Sequence, residues 1–113
     1  MFTQQRNTDK IKEYTVNGLK SIGSEVLTVA ASVVQLSTTL MALKPKAIHV
    51  YVDSSIATKA IRYTYDGSTP AAGTGIARFD NDEFVLEEYE NLSKFKAIRE
   101  AAGTHTLFIT YLK

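Results

Sequence analysis

The sequence predicts an all-β fold: an antiparallel β-sandwich or jelly-roll-like barrel in residues 25–113, preceded by an extended N-terminal arm in residues 1–24. Roughly six to eight short segments of alternating or β-branched residues follow one another at intervals of about 8–12 residues. Turn-forming residues separate these segments, most clearly at residues 66–70, which read Asp-Gly-Ser-Thr-Pro. The arm differs from the rest because it is polar and its apolar side chains are thinly spaced.

The composition is that of one ordered domain. The chain has 113 residues, of which 44% are hydrophobic and 22% are charged, and this argues against wholesale disorder. Its 13 basic and 12 acidic residues nearly cancel, whereas a dedicated nucleic-acid binder depends on clustered cationic charge. Cysteine is absent, which excludes disulfides, cysteine-ligated zinc and thiol catalysis. We therefore expect no direct nucleic-acid partner and no cofactor.

The sequence also predicts no membrane association. The apolar stretch at residues 26–36 is interrupted by polar side chains and is shorter than the roughly 20 residues that span a bilayer. The first ten residues lack the apolar core of a signal peptide.

The arm contains no pattern for a long helix, because Gly18 and Gly23 interrupt the apolar spacing that Ile11 and Tyr14 begin. We predict an extended segment with one short strand around residues 14–16. Twenty extended residues span roughly 65 Å, whereas a domain of about 90 residues has a radius of gyration of about 12 Å. The arm therefore either reaches a neighbouring subunit or folds back on its own domain.

The domain begins with strand patterns and one helical turn. Residues 26–36 predict one bulged strand or two short ones, because Ala-Ala-Ser interrupts a β-favouring run. Ser37 followed by Thr-Thr-Leu-Met predicts a capped helical turn, which Pro45 ends. Residues 47–52 and 60–65 each alternate between two faces, as strands do. Shorter strands are predicted at residues 76–79, 83–87 and 106–112.

Residues 87–103 fit two structures. Aromatic or aliphatic residues recur every three positions, acidic residues come early and basic ones late, and Gly103 stands where a helix would end. Against a long helix, residues 95–99 alternate and are followed by Ala-Ala-Gly-Thr and a further strand, which is the pattern of a hairpin. We favour a helical turn near residues 91–94 followed by a strand.

The two histidines do not form a recognisable catalytic motif. Ser54, His49 and Asp53 contain the residue types of a serine hydrolase, but no Gly-x-Ser-x-Gly elbow accompanies them. We interpret His49 as a histidine on the wetter face of a strand. Two histidines without cysteine also make a conventional zinc site improbable. The sequence therefore predicts no catalytic residue, no metal ligand and no enzyme.

Acidic residues cluster at residues 80–90, while residues 1–44 carry five cations against three carboxylates. The cluster lacks the glycine and glutamate spacing of an EF-hand. We interpret it as a solvated turn or an acidic docking face in preference to a calcium site. Near it, Gly73-Thr74-Gly75 lacks the Lys-Ser/Thr of a phosphate-binding loop.

The tyrosines allow a second kind of binding site. Tyr51, Tyr63, Tyr65 and Tyr111 would suit a sugar-stacking platform, as in a carbohydrate-binding module. The alternation of Tyr63 and Tyr65 with Ile61 favours a packed inner face instead.

Three segments carry a family resemblance. Residues 60–76 read Ala-Ile-Arg-Tyr-Thr-Tyr-Asp-Gly-Ser-Thr-Pro-Ala-Ala-Gly-Thr-Gly-Ile, residues 91–99 read Asn-Leu-Ser-Lys-Phe-Lys-Ala-Ile-Arg, and residues 106–111 read Thr-Leu-Phe-Ile-Thr-Tyr. Together they resemble small structural proteins of tailed bacteriophages, over roughly residues 45–113. The resemblance implies a non-enzymatic virion component, either a capsid decoration (cement) protein or a head–tail or tail component, with no catalytic residues to transfer.

From these observations we expect a capsid decoration protein located in the virion, which is assembled in the host cytoplasm. The alternatives are a neck, tail or baseplate component and a glycan-binding module. The expected partners are the major capsid protein or other virion proteins, with the chain itself in a homo-oligomer or symmetric array. The candidate interface residues are Phe2, Arg6, Tyr14, Val16, Leu19, Asp80, Asp82 and Glu83.

Overall fold

The computed structural model describes residues 18–54, 60–100 and 102–113. These residues form mainly short β-strands with two single-turn helices, α1 (Thr38–Met41) and α2 (Tyr89–Ser93). The strands in chain order are β1 (Ser21–Val29), β2 (Val34–Gln35), β3 (Ala47–Ser54), β4 (Ile61–Thr64), β5 (Ile76–Arg78), β6 (Glu83–Glu87), β7 (Lys96–Arg99) and β8 (His105–Leu112).

The strands form two antiparallel sheets of four strands each. The first sheet has the order β1-β8-β3-β6 and the second β2-β7-β4-β5. Each strand of the first half of the chain pairs with one of the second half, β1 with β8, β2 with β7, β3 with β6 and β4 with β5. This nested pairing is the topology of a jelly roll. It corresponds to one long antiparallel hairpin whose strands are divided between two facing sheets. The predicted all-β sandwich is confirmed.

The core lies between the inner faces of the two sheets. Because side chains alternate along a strand, every second residue of β3 and β8 points into it. The first sheet contributes Ile48, Val50 and Val52 from β3 and Leu107, Ile109 and Tyr111 from β8, all buried. The second sheet contributes Ile61 and Tyr63 from β4 and Ala97 from β7, and Phe95 and Leu92 close the end of the core near α2.

Several local predictions are confirmed. Residues 26–36 contain two strands, β1 and β2, separated by bends. Ser37 caps α1, since its hydroxyl accepts a hydrogen bond from the backbone N–H of Leu40 at 3.3 Å. Residues 87–103 contain the short helix α2 followed by β7, and therefore no long helix.

The boundary of the arm differs from the prediction. The sequence places residues 21–24 in the arm, but β1 begins at Ser21 and pairs with β8 along its whole length. Gly23 lies at a bulge in this strand, and a Cβ there would meet Leu40 of α1 at 2.8 Å. The glycine therefore leaves room for the side chain of Leu40. A single glycine in the sequence does not show whether a strand ends there or continues through a β-bulge.

The predicted strand around residues 14–16 lies outside the described residues. Within the described part of the chain, no helix is long and apolar enough to cross a membrane.

Candidate functional site

The first sheet exposes apolar side chains on its outer face, the face turned away from the core. Val26 of β1 and Phe108 of β8 are direct cross-strand partners there, and they are 63% and 40% exposed. Tyr51 of β3 is the next residue in the same row, with its ring centroid 6.2 Å from that of Phe108. Val26, Phe108 and Tyr51, the apolar row, therefore form a continuous surface across three strands.

The neighbouring part of the outer face is buried. Ala47, His49 and Leu112 are almost inaccessible to solvent, although the strand alternation places them on the same side as the apolar row. His49 Nε2 lies 3.0 Å from Glu83 Oε1, which joins β3 to β6. The interpretation of His49 as a residue on a wet face is therefore wrong. Alternation shows which residues share a face but not whether that face is covered.

The second histidine forms a buried pair with Ser54. His105 Nδ1 and Ser54 Oγ are 2.8 Å apart, and the two residues are cross-strand partners at one end of β3 and β8. His105 and Ser54 are only 0% and 8% exposed. The pair has the atoms of a nucleophile and a base, but burial keeps substrates away from it. The combination of Ser54 with His49 does not occur, because the two residues point to opposite faces of β3.

The predicted acidic docking residues form hydrogen bonds or ion pairs with other residues of the domain. Asp80 Oδ1 accepts a hydrogen bond from the backbone N–H of Ser54 at 2.8 Å, and Asp82 Oδ2 accepts one from Phe79 at 2.7 Å. Glu83, paired with His49, has a side chain that is nearly buried. Asp80 and Asp82 therefore fix the turn between β5 and β6, and Glu83 joins β6 to β3. The exposed carboxylates of the acidic segment come later, at Glu87, Glu88 and Glu90.

The other predicted interface residues lie at or before the start of the described chain. Leu19 is half-buried and lines a shallow cavity beside Lys46, Glu87 and Tyr89. Phe2, Arg6, Tyr14 and Val16 lie outside the described residues.

A cavity of about 420 Å³ lies in the second sheet, at the end of β4. Its lining includes Tyr63, Tyr65, Asp66, Thr74, Gly75 and Ile76, and this group defines the tyrosine cavity. One wall is the tight turn at residues 71–75, where Ala71 and Thr74 form an isolated bridge. The other is the turn at residues 65–69, which follows β4 directly.

Two charged residues hold the wall at residues 71–75 in place. Arg62 Nη1 donates a hydrogen bond to the carbonyl oxygen of Gly75 at 2.8 Å, and its Nε donates to Glu100 Oε1. The same oxygen of Glu100 accepts a hydrogen bond from the backbone N–H of Gly73 at 3.1 Å. The wall is therefore anchored to β4 and to the end of β7 by an ion pair, which preorganises the cavity.

The rings of the cavity have different roles. Tyr63 is buried, and its ring centroid is 4.7 Å from that of Phe84 and 5.6 Å from that of Phe95. Tyr65 stacks on Tyr63 at 6.3 Å with an interplanar angle of 26°, and it is 37% exposed. Tyr65 is therefore the ring that a ligand can reach. Tyr51, the third tyrosine of the predicted platform, lies on the first sheet and does not join them.

Asp66 provides the charge at the rim of the cavity. Its Oδ1 accepts hydrogen bonds from the backbone N–H and the hydroxyl of Ser68, at 3.0 and 2.6 Å. These hydrogen bonds, the one from the hydroxyl first, lower the pKa of Asp66 below its ordinary value. The carboxylate is therefore ionised at neutral pH and is a hydrogen-bond acceptor only.

The described residues contain no group of three histidine, aspartate or glutamate side chains that could hold a metal ion. No protein-family model matches the chain, and neither does any curated protein or solved structure. The candidate surfaces of the described residues are the apolar row and the tyrosine cavity.

Proposed function

We propose that the chain is a non-enzymatic structural protein of a bacteriophage virion, which decorates the capsid by binding neighbouring protein subunits. The family resemblance over residues 45–113 supports this proposal. The jelly-roll topology is compatible with it, since viral capsid domains often have this fold. A fold alone hosts many functions, so the proposal depends on the surface that the chain offers to a partner.

The apolar row is the observation that carries the proposal. Val26 and Phe108 are large side chains, adjacent across two strands and substantially exposed. Full burial of a valine or phenylalanine side chain contributes about 1.5–3 kcal/mol, so a partner that covers the row gains binding free energy. One such contact is weak, but a symmetric array of many copies reinforces it through avidity.

The surroundings of the row favour a protein partner over a lipid or a nucleic acid. Exposed neighbours on the same face, among the described residues, are the uncharged Ser24 and Thr28 and the acidic Asp53. An apolar centre with a polar rim is typical of protein–protein interfaces. None of these described neighbours is cationic, whereas anionic lipids and phosphates attract cationic residues.

The buried Ser54–His105 pair supports the non-enzymatic part of the proposal. A nucleophile must reach its substrate, and neither side chain of this pair is open to solvent. A cross-strand hydrogen bond that satisfies two buried polar groups is sufficient to explain it.

The test is co-sedimentation of the purified protein with phage particles assembled from a genome that lacks its coding sequence. We expect wild-type protein to bind these particles and the variant Val26→Lys/Phe108→Lys to bind at least tenfold more weakly. Leu43→Lys is the matched control, because Leu43 is also an exposed aliphatic residue but lies after α1, away from the row. Wild-type protein that stays in the supernatant, or a double variant that binds like wild type, would contradict the proposal.

Deletion of residues 1–17 tests the contribution of the arm separately. This truncation keeps Lys20, whose backbone exchanges two hydrogen bonds with that of Lys113 at 3.1 and 2.9 Å. The domain should therefore remain folded, which circular dichroism checks, while particle binding falls. Undiminished binding would show that the arm does not contribute to the interface, and the apolar row would then carry the binding.

The position on the particle distinguishes decoration from the neck, tail or baseplate alternative. Gold-labelled antibody against the protein should cover the whole capsid shell. Labelling restricted to one vertex or to the tail would favour the alternative.

A further inference from the structure

The tyrosine cavity has the features of a small-ligand site. Its volume of about 420 Å³ falls within the range of about 300–1,000 Å³ that is usual for ligand pockets. Such pockets combine an apolar lining with a few convergent polar groups. The cavity offers the ring of Tyr65 and the aliphatic side chain of Ile76, with the carboxylate of Asp66 and the hydroxyl of Thr74 beside them.

We propose that the tyrosine cavity binds a neutral saccharide unit, which stacks on the ring of Tyr65 and donates a hydroxyl hydrogen bond to the carboxylate of Asp66. A sugar ring has an apolar C–H face and a rim of hydroxyl groups. The C–H face carries partial positive charge and suits the negative face of an aromatic ring. Each hydroxyl group is a hydrogen-bond donor that suits a carboxylate acceptor.

The polar groups of the cavity still have capacity for a ligand. Both hydrogen bonds to Asp66 from described residues end on Oδ1, so Oδ2 is left to accept from a sugar. The hydroxyl of Thr64, at the edge of the cavity, donates to the carbonyl oxygen of Ser68 at 2.7 Å and keeps its own acceptor lone pairs. A hydrogen bond to an ionised acceptor is stronger than one to a neutral acceptor. The hydrogen bond to Asp66 should therefore contribute most to the polar recognition of the sugar.

The charge of the cavity selects neutral over acidic sugars. Asp66 is ionised, the guanidinium of Arg62 is paired with Glu100, and that of Arg78 lies over the rings of Tyr63 and Phe84. Lys94 and Lys96 lie near Asp66, but neither lines the cavity. A carboxylated sugar in the cavity would therefore place a second negative charge beside Asp66 without a cation in the lining to compensate it. A neutral hexose or N-acetylhexosamine avoids this repulsion.

The position of the cavity allows it to act together with the proposed particle attachment. The apolar row is on the first sheet, whereas the tyrosine cavity is on the second. A chain that attaches by the first sheet therefore keeps its cavity available to a glycan. This site is independent of the proposed structural role, because each depends on different residues.

The experiment is saturation-transfer NMR on the full chain with glucose, galactose, mannose and N-acetylglucosamine, and with N-acetylneuraminic acid as the acidic comparison. We expect transfer to at least one neutral sugar, and weaker or no transfer to the acidic one. When the sugar is titrated into the protein, the NMR chemical shifts of residues 65–76 should change. Absence of transfer to all four neutral sugars would overturn the proposal, as would a preference for the acidic sugar.

Variants locate the binding in the cavity. Tyr65→Ala and Asp66→Asn should each weaken the affinity for the preferred sugar at least tenfold. Tyr89→Ala is the matched control, because Tyr89 is 36% exposed against 37% for Tyr65 and lies outside the tyrosine cavity. Thermal unfolding of each variant confirms that it is folded. Equal affinity in wild type and Tyr65→Ala would overturn the assignment, and so would an equal loss in Tyr89→Ala.

Discussion

The ring of Tyr63 stacks on that of Phe84, with 4.7 Å between centroids and 10° between ring planes. Tyr63 belongs to β4 in the second sheet and Phe84 to β6 in the first, so this contact joins the two layers of the sandwich. The guanidinium of Arg78 lies 4.4 Å from the centroid of Phe84 and adds a cation–π contact. The same stack supports Tyr65, and through it the tyrosine cavity.

We predict that Phe84→Ala destabilises the domain by about 3–5 kcal/mol, because it leaves a cavity between the sheets and removes the ring contact. Urea unfolding followed by circular dichroism measures the change. Phe79→Ala is the control, since Phe79 is exposed, and it should cost less than about 1 kcal/mol. A similar loss in both variants would show that this stack does not hold the sheets together.

Gly75 should tolerate a side chain poorly. Its φ is +113°, and a Cβ there would lie 2.9 Å from the carbonyl oxygen of Tyr63. Gly75→Ala should therefore cost about 1–3 kcal/mol of stability and weaken sugar binding by distorting the cavity wall. Gly73→Ala is the matched comparison, because Gly73 also has positive φ but nothing within 4 Å of its Cβ position. The two variants are compared by thermal unfolding, and equal losses would contradict the steric argument.

Stability should decrease at alkaline pH through Tyr111. Burial, with the hydrogen bond to the Glu25 carboxylate and its negative charge, raises the pKa of Tyr111 above its ordinary value of 10.0. Above pH 10.0 the unfolded chain loses this proton while the folded chain keeps it. The stabilising contribution is therefore complete below that pH and is lost as the pH rises further, by up to about 1.4 kcal/mol per pH unit.

The measurement is the urea midpoint between pH 8 and 11 for wild type and two variants. Tyr111→Phe should lose about 1–3 kcal/mol at pH 8, since the half-buried carboxylate of Glu25 loses one donor, and should then show a shallower alkaline decline than wild type. Tyr89→Phe is the control, because the hydroxyl of Tyr89 is exposed, and it should follow the wild-type curve. A decline that is equally steep in Tyr111→Phe would assign the effect to other groups.

Ser54 should not react as a catalytic nucleophile. It is buried beside His105, so a fluorophosphonate probe should not label the native protein. Ser54→Ala should instead reduce stability by about 1–3 kcal/mol, because it removes the hydroxyl that His105 contacts. Labelling that is present in wild type and absent in Ser54→Ala would identify an accessible nucleophile and contradict the non-enzymatic proposal.

Local structure was largely predictable from the sequence, because its causes are local. Alternation at residues 47–52 and 60–65 predicted β3 and β4, and Ser37 predicted the cap of α1. The helical turn and the strand in residues 87–103 also followed from short-range patterns. The same patterns could not place the start of β1, because Ser21 belongs to the sheet through its pairing with Leu112 at the far end of the chain.

The candidate sites were predicted less well. For Tyr63 and Tyr65 the sequence allowed a packed inner face or a sugar-stacking platform. Tyr63 packs inside, whereas Tyr65 is 37% exposed and lines a cavity. The acidic turn was recognised as a cluster, but its carboxylates accept hydrogen bonds from Ser54 and Phe79. The apolar row was not predicted, since Val26 and Phe108 are 82 positions apart in the numbering of the sequence and meet only through the pairing of β1 with β8.

The sequence by itself determined that this protein is an all-β domain, where its turns lie and which residues of each strand share a face. These properties follow from backbone preferences and from the two-residue period of a strand, which act within a few positions. Only the tertiary structure decided the nested pairing of the jelly roll, the partners of His49 and His105, and which faces are covered. Those properties depend on contacts between distant segments, and such contacts are set by how all the apolar faces of the chain can be buried together.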